Sequence, residues 1–124
     1  RVNFLGASGV GSSGKTLTVR LDDLEGIEVP ITIAATHPPV GAKLQLGIRP
    51  EHFDKAGSVQ VQVPVDVIEH LGGSSFAYSR SDTELPLTIE IRDNRDLREG
   101  EVLKTGFDPD RAYLFDARSG MRLR

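Results

Sequence analysis

Residues 41–52, GAKLQLGIRPEH, are repeated 59 positions later as residues 100–111, GEVLKTGFDPDR. The two segments, called here the repeated phrase, share the pattern Gly-x-x-Leu-x-x-Gly-apolar-x-Pro-acid-base. The identical pairs are Gly41/Gly100, Leu44/Leu103, Gly47/Gly106 and Pro50/Pro109. Self-similarity at a fixed offset is typical of a duplicated structural unit. The sequence therefore predicts one domain, 1–124, made of two pseudo-repeated halves, about 1–58 and 59–124.

Alternating apolar and polar residues predict that both halves consist of β-strands. Residues 59–67, VQVQVPVDV, carry valine at every odd position, and residues 27–33, IEVPITI, show the same period. Period two with β-branched residues is typical of strands that bury one face. Helical signal is confined to the two Pro-acid-base positions of the repeated phrase. We expect an all-β fold, a tandem OB-like barrel or sandwich of two β halves with only short helical turns.

The composition limits the classes of protein that this chain can belong to. The net charge of −3 gives no electrostatic footprint for nucleic acid or an anionic membrane surface. The 124 residues suffice for one core or for two small fused cores. We expect the two halves to share a core or to pack as intertwined small barrels. The absence of cysteine excludes a disulfide framework and fits a cytoplasmic protein. Because the sequence begins with Arg1, we expect a fragment of a longer protein.

The letters GVGSSGKT match the phosphate-binding P-loop pattern Gly-x4-Gly-Lys-Thr. The matching residues are Gly9, Gly14, Lys15 and Thr16. A working P-loop needs a helix after the loop, whose N–H groups face the phosphates. The letters TLTVRL that follow instead have the alternation of a strand. We therefore interpret the match as chance, predict a β-hairpin loop, and expect no cofactor in this segment.

The titratable residues do not form a catalytic or metal-binding pattern. The histidines His37, His52 and His70 are far apart and lack the spacing of metal ligands. Glu51 and Asp110 could act as paired carboxylates, but they occupy equivalent positions of the repeated phrase. Their equivalence favours turn chemistry over catalysis. We predict no metal site and no catalytic residue.

Four motifs together resemble a known family. They are NFLG from Asn3, LGIRPEHF from Leu46, VDVIEHLGG from Val65 and LFD from Leu114. In order and approximate spacing they are similar to the C-terminal regulatory region of sugar-importer ABC transporter ATP-binding subunits. This is the maltose and glycerol-3-phosphate importer family, and the region is its OB-like TOBE domain. The resemblance covers essentially the whole chain.

The resemblance implies a non-catalytic role for this segment. In the family, the region tethers the two ATPase subunits as a dimer during the transport cycle and in some members receives a regulatory protein. The nucleotide-binding domain, with its ATP and Mg²⁺, would lie upstream of this chain and contact the membrane subunits. We accordingly expect a cytoplasmic location on the inner face of the cell membrane, and no nucleic-acid partner. The transported solute does not follow from the resemblance.

The same resemblance supplies candidate interface or regulatory residues. Gly47, Arg49 and Glu51 lie in the characteristic joint, Glu69 opens the turn of the second half, and Phe115 is near the end. An alternative function remains open, a small-ligand sensor in which glycine-rich turns present N–H groups to an oxyanion or sugar phosphate. The basic residues do not cluster around those turns, which disfavours this alternative.

Overall fold

The computed structural model describes residues 2–81, 83–92 and 96–124, and its regular structure is almost entirely β-strand. The strands are β1 (Asn3–Ser13), β2 (Thr16–Leu21), β3 (Ile27–Thr32), β4 (Lys43–Ile48), β5 (Val59–Pro64), β6 (Val67–Leu71), β7 (Ser74–Ser79), β8 (Leu87–Ile91), β9 (Val102–Phe107), β10 (Tyr113–Asp116) and β11 (Arg122–Leu123). Two single 3-10 turns, Pro50–His52 and Pro109–Arg111, supply the helical content of the described residues. The predicted all-β class with short helical turns is confirmed.

Each copy of the repeated phrase forms a six-residue strand followed by a 3-10 turn. The strands β4 and β9, and the two 3-10 turns, begin and end at positions exactly one repeat apart. Gly41 and Gly100, which precede the strands, have φ angles of 87° and 88°, a region that glycine adopts without steric cost. Each proline opens its turn because its ring fixes φ near the helical value, and it keeps the residue before it extended. The repeated residues are thus those that set backbone geometry.

The chain folds into two compact units, each of which draws on both predicted halves. The central unit contains Asn3 and residues 48–108, and the terminal unit contains residues 4–47 and 109–124. The chain changes unit within each copy of the repeated phrase, after Gly47 and after Asp108. The predicted boundary near residue 58 therefore does not separate the compact units.

Strand pairing explains this exchange of segments. The strand that follows each copy of the phrase pairs with the strand of the other copy, so that β5 lies against β9 and β10 lies against β4. A segment of about 60 residues buries a smaller share of its apolar surface than a larger domain does, so its stability by itself is marginal. The strand after each copy therefore adds to the core of the unit in which the strand of the other copy lies.

The terminal unit is a six-stranded sheet with the order β11-β10-β4-β1-β2-β3. The backbone N–H groups of Ala34 and Ala35, just after β3, both donate to the carbonyl of Arg124, just after β11, at 3.1 Å. These bonds join the two outer strands and close the sheet in the manner of a barrel. Its buried apolar side chains are Leu5, Ala7, Leu17, Val19, Leu21, Leu24, Val29, Ile31, Ile33, Leu44, Leu46 and Leu114.

The central unit contains the β5-β9 ladder and a three-stranded sheet with the order β6-β7-β8. Phe53 bridges to Phe107 at the end of β9, and the two rings meet edge to face with their centroids 6.2 Å apart. Five strands agree with the predicted OB-like unit. The buried apolar side chains are Ile48, Phe53, Val59, Val61, Val63, Val65, Ala77, Leu87, Ile89, Leu103 and Phe107.

The valine run from Val59 to Val67 is divided at Pro64 between β5 and β6. A proline lacks the N–H that a ladder needs, so a strand commonly ends there. The next residue, Val65, donates instead to the carbonyl of Glu101 at 2.9 Å. Val65 stays buried, but the side chain of Val67 is 46% exposed. The alternation of the sequence therefore continues beyond the point where the buried face ends.

The side chain of Asn3 pairs with the backbone of β8 and is only 3% exposed. Its Nδ2 donates to the carbonyl of Thr88, and its Oδ1 accepts from the N–H of Thr88, each at 2.7 Å. The amide thereby occupies the position of a peptide group on a neighbouring strand. It satisfies the edge of β8 that does not pair with β7.

Candidate functional site

Three of the five candidate interface residues lie on surfaces, which belong to two different units. Of the other two, Gly47 is buried and Arg49 is half-buried. Glu51 and Glu69 are exposed on the central unit, while Phe115 is half-buried on the terminal unit. Gly47 is buried in β4, opposite Tyr113 of β10. Arg49 is half-buried, and its carbonyl accepts a hydrogen bond from His52 N–H at 2.9 Å. Gly47 and Arg49 therefore shape the passage between strand and 3-10 turn.

Glu51 and Glu69 border an outward-facing surface of the β6-β7-β8 sheet. The strand registers place Glu69 opposite Phe76, Phe76 opposite Glu90, and Tyr78 between Val67 and Thr88. An open groove of about 570 Å³ on this surface is lined by Pro50, Glu51, Leu71, Phe76, Tyr78, Thr88 and Glu90, and Val67 and Glu69 lie beside it on β6. We call this surface the acidic face, and its members are Glu51, Val67, Glu69, Leu71, Phe76, Tyr78 and Glu90.

Hydrogen bonds hold two carboxylates of the acidic face, those of Glu69 and Glu90, in place. The hydroxyl of Tyr78 donates to Oε1 of Glu69 at 2.8 Å. At the margin, the guanidinium of Arg92 donates to Oε2 of Glu90 at 3.2 Å and to the backbone carbonyl of Glu51. Arg92 thus ties the 3-10 turn to the end of β8. Carboxylates and aromatic faces both attract cations, and the exposed apolar side chains can cover apolar groups of a partner, which favours binding over catalysis.

Phe76, Tyr78 and Glu90 were not among the residues predicted from the sequence. The letters SSFAYS show the two aromatic residues on one phase of β7, but only the structure shows that this phase does not enter the core. Ala77 and Ser79, on the opposite phase, are the buried residues of that strand. Small residues facing the core and aromatic residues facing outward reverse the usual order of a half-buried strand.

Phe115 belongs to an aromatic cluster on the terminal unit. Its ring meets Phe4 edge to face, with centroids 5.6 Å apart and planes at 70°. Tyr113 lies two residues earlier on β10, and the guanidinium of Arg122 lies 4.6 Å from its ring centroid. Leu114, between them, is buried in the core. We call Phe4, Tyr113 and Phe115 the aromatic cluster, and each of its members is half-buried.

The segment that resembles a P-loop is a β-hairpin. Strand β1 runs through Gly9 to Ser13, and β2 starts at Thr16, with Gly14 at a φ of 59° in the two-residue turn. The register shifts between Gly9 and Gly11. Less of the segment is loop than the sequence predicts, because its glycines continue the strand. A strand after the turn cannot supply the helix N-terminus that a P-loop uses.

The histidines His37 and His70 each hydrogen-bond to a nearby serine hydroxyl. The imidazole of His37 bonds to Ser12 Oγ and, through Nε2, to the carbonyl of Ile33 at 2.7 Å. Nδ1 of His70 lies 2.8 Å from Ser75 Oγ, across the β6-β7 hairpin. Among the described residues, no group of three or more His, Cys, Asp or Glu side chains has the geometry of a metal site.

Asp116 ends β10 and organises the turn into β11. Its Oδ1 accepts hydrogen bonds from the N–H groups of Ser119 at 2.9 Å and Arg118 at 2.8 Å. These two bonds, that of Ser119 first, lower the pKa of the Asp116 carboxyl below its usual value. The carboxylate thus does for this turn what a capping residue does for a helix.

The lowered pKa makes the contribution of Asp116 to stability depend on pH. It is fully present above the unfolded pKa of about 3.9 and is lost as the pH falls through the lower pKa of the folded state. In Asp116→Asn the amide oxygen still accepts both bonds but does not titrate in this range. We expect the advantage of the parent chain over the variant in urea unfolding to shrink between pH 5 and pH 2. A constant difference over that range would contradict this assignment.

Among the described residues, no helix is long and apolar enough to cross a bilayer. The fold is that of a tandem β module whose exposed features are an acidic face and an aromatic cluster. The family model of the TOBE domain matches residues 46–115, more than half of the chain. The chain belongs to the TOBE domain family.

Curated relatives extend the similarity over the whole chain. The chain is 37% identical over 129 aligned residues to the lactose transport ATP-binding protein LacK of Rhizobium radiobacter, covering 100% of this chain and 35% of the relative. Identity to the sn-glycerol-3-phosphate import ATP-binding protein UgpC of Cupriavidus pinatubonensis is 32%, covering 93% of this chain and 32% of the relative. For UgpC of Cereibacter sphaeroides it is 34%, covering 80% and 29%. The chain thus spans about a third of the length of these relatives.

Proposed function

We propose that this chain is the non-catalytic regulatory and dimerisation domain of the ATP-binding subunit of a carbohydrate ABC importer. The supporting observation is that the full-length relatives are named as ATP-binding proteins of lactose transport and sn-glycerol-3-phosphate import. The chain covers only about a third of such proteins, which leaves the remainder for a nucleotide-binding domain. ATP, Mg²⁺ and the contacts to the membrane subunits belong to that remainder. The complex would work on the inner, cytoplasmic face of the cell membrane.

The proposed mechanism is a mechanical tether. Two copies that pack about a two-fold axis hold their ATPase domains at high effective concentration when those domains separate. The aromatic cluster is the surface we assign to this contact. Half-buried rings such as Phe4 and Phe115 offer rigid apolar area, and aromatic residues are enriched at interface centres.

The tether is tested in the full-length ATP-binding subunit. We expect removal of this domain to weaken dimerisation in sedimentation velocity, and Phe115→Ser to raise the dimer dissociation constant at least about tenfold. Phe76→Ser is the matched control, since it removes a half-exposed ring from the acidic face instead. Equal dimerisation with and without the domain would refute the tether. Equal effects of the two substitutions would refute the assignment to the aromatic cluster.

A further inference from the structure

The acidic face of the central unit carries an inference that is independent of the tether. We propose that it is a docking surface for a short protein segment that combines basic and apolar side chains. The surface and the aromatic cluster belong to different compact units, so either assignment can fail without the other.

The apolar side chains of the acidic face are exposed or half-buried and do not belong to the buried core. Leu71 is 54% exposed and Val67 46%, and both lie on the outer side of strand β6. The half-buried rings of Phe76 and Tyr78 lie beside them on β7. Single exposed apolar residues are ordinary, but adjacent ones rimmed by polar groups mark interaction surfaces.

The charges of the face select the chemistry of the partner. The groove is lined, within the described residues, by the carboxylates of Glu51 and Glu90 and by no lysine or arginine. Glu69 adds a third carboxylate at its border, and Arg92 at the margin already bonds to Glu90. Complementarity therefore requires a cationic partner. Nucleic acid and anionic lipid would be repelled.

A second copy of the chain is a poor occupant of the acidic face. A two-fold contact would set the face against an identical face that carries the same carboxylates and, in its described lining, no lysine or arginine to pair with them. Juxtaposed like charges oppose association. The face is also small, because three strands of about five residues span roughly 17 by 10 Å. Stable protein pairs bury about 800 Å² on each side, whereas this area suits a short segment.

The partner is expected to lie across the strands and not to extend the sheet. Strand β6 is one of the two outer strands of the sheet, and its N–H groups would be a natural place to add another strand. The carboxylate of Glu99 already accepts from the N–H of Ile68 at 3.0 Å and covers that edge. Side chains of the acidic face therefore supply the contact.

The test is a titration of the ¹⁵N-labelled chain with two synthetic peptides of equal length. One is Lys-Leu-Lys-Phe-Lys-Leu-Lys, and the other replaces each lysine by glutamate. With the basic peptide we expect backbone amide shifts confined to β6, β7, β8 and the first 3-10 turn. The acidic peptide should bind at least about tenfold more weakly, and affinity for the basic one should fall as salt rises from 50 to 300 mM.

Matched charge reversals locate the binding. Glu69→Lys should weaken the basic peptide at least about tenfold, whereas Glu28→Lys, an equal charge change on β3 of the terminal unit, should leave affinity within about twofold. The amide spectrum of each variant shows whether it is folded. Absent or scattered shifts, or equal affinity for both peptides, would overturn the proposal. The proposal would also be overturned if amide signals of the acidic face shifted with protein concentration in the absence of peptide, since that would identify a second copy as the occupant.

Discussion

Replacing Gly57 by alanine is expected to destabilise the chain by about 3–5 kcal/mol, because the new methyl group would overlap backbone and not side chain. A Cβ at this position would lie 2.3 Å from the backbone nitrogen of Phe107 and 2.6 Å from its Cα. The Gly57 segment and β9 are held together by the hydrogen bond from Asp54 N–H to the carbonyl of Gly106 at 2.9 Å. The melting temperature should fall by about 10–20 °C, measured by scanning calorimetry.

Glycines elsewhere in the chain give a graded control for this prediction. Gly106→Ala should also be strongly destabilising, since its Cβ would lie 2.7 Å from the carbonyl oxygen of Val59. Gly100 has open space but a φ of 88°, so Gly100→Ala should cost about 1–2 kcal/mol from backbone strain alone. Gly11→Ala has neither obstacle and should change stability by less than about 0.5 kcal/mol. A Gly57→Ala variant as stable as Gly11→Ala would contradict the close approach of the Phe107 backbone to Gly57.

Asn3→Ala is expected to destabilise the chain by about 2–4 kcal/mol, because it removes two buried hydrogen bonds at once. The N–H and carbonyl of Thr88 would lose the amide that pairs with both of them. Asn3→Leu keeps the branched shape and the number of side-chain heavy atoms and should be no better, which separates hydrogen bonding from the loss of side-chain atoms. Urea unfolding of the three chains at pH 7 measures the difference.

Asn3→Asp tests the direction of the two bonds. A carboxylate can accept from the Thr88 N–H, but its second oxygen would face the Thr88 carbonyl, which needs a donor. The pKa of the introduced carboxyl is therefore raised in the folded state, and its protonation restores the donor. We expect Asn3→Asp to be strongly destabilised at pH 7 and to recover part of the loss as the pH falls to 4. A loss that grows toward pH 4 would contradict the pairing.

The fold class could be predicted from the sequence because strands and turns leave patterns in short stretches of sequence. Alternation identified β2, β3 and β5, since a strand with one buried face must repeat its apolar residues every second position. Strand β1 was not identified. Its glycines have no side chain to show the alternation, although Leu5 and Ala7 are buried on one side of it.

The candidate surfaces were only partly predictable. Glu51, Glu69 and Phe115 were identified by resemblance, and the structure places them on exposed or half-buried surfaces. Their neighbours Phe76, Tyr78 and Glu90 come from other strands, and only the pairing of β6, β7 and β8 brings them beside Glu69. Whether Phe115 and Glu69 contact partners stays a prediction for the experiments above.

The repeated phrase shows where the sequence by itself sufficed. It determined a strand and a 3-10 turn twice at the same spacing, because glycine φ values and proline rings act on the local backbone. It could not determine that the chain passes from one unit to the other after Gly47 and Asp108. It also could not distinguish the reasons for the two glycines of the second copy. Gly100 is required by its positive φ angle, whereas Gly106 is required because the backbone of Val59 leaves no room for a Cβ. Those outcomes depend on which distant strand arrives beside each copy, and only tertiary packing decides that.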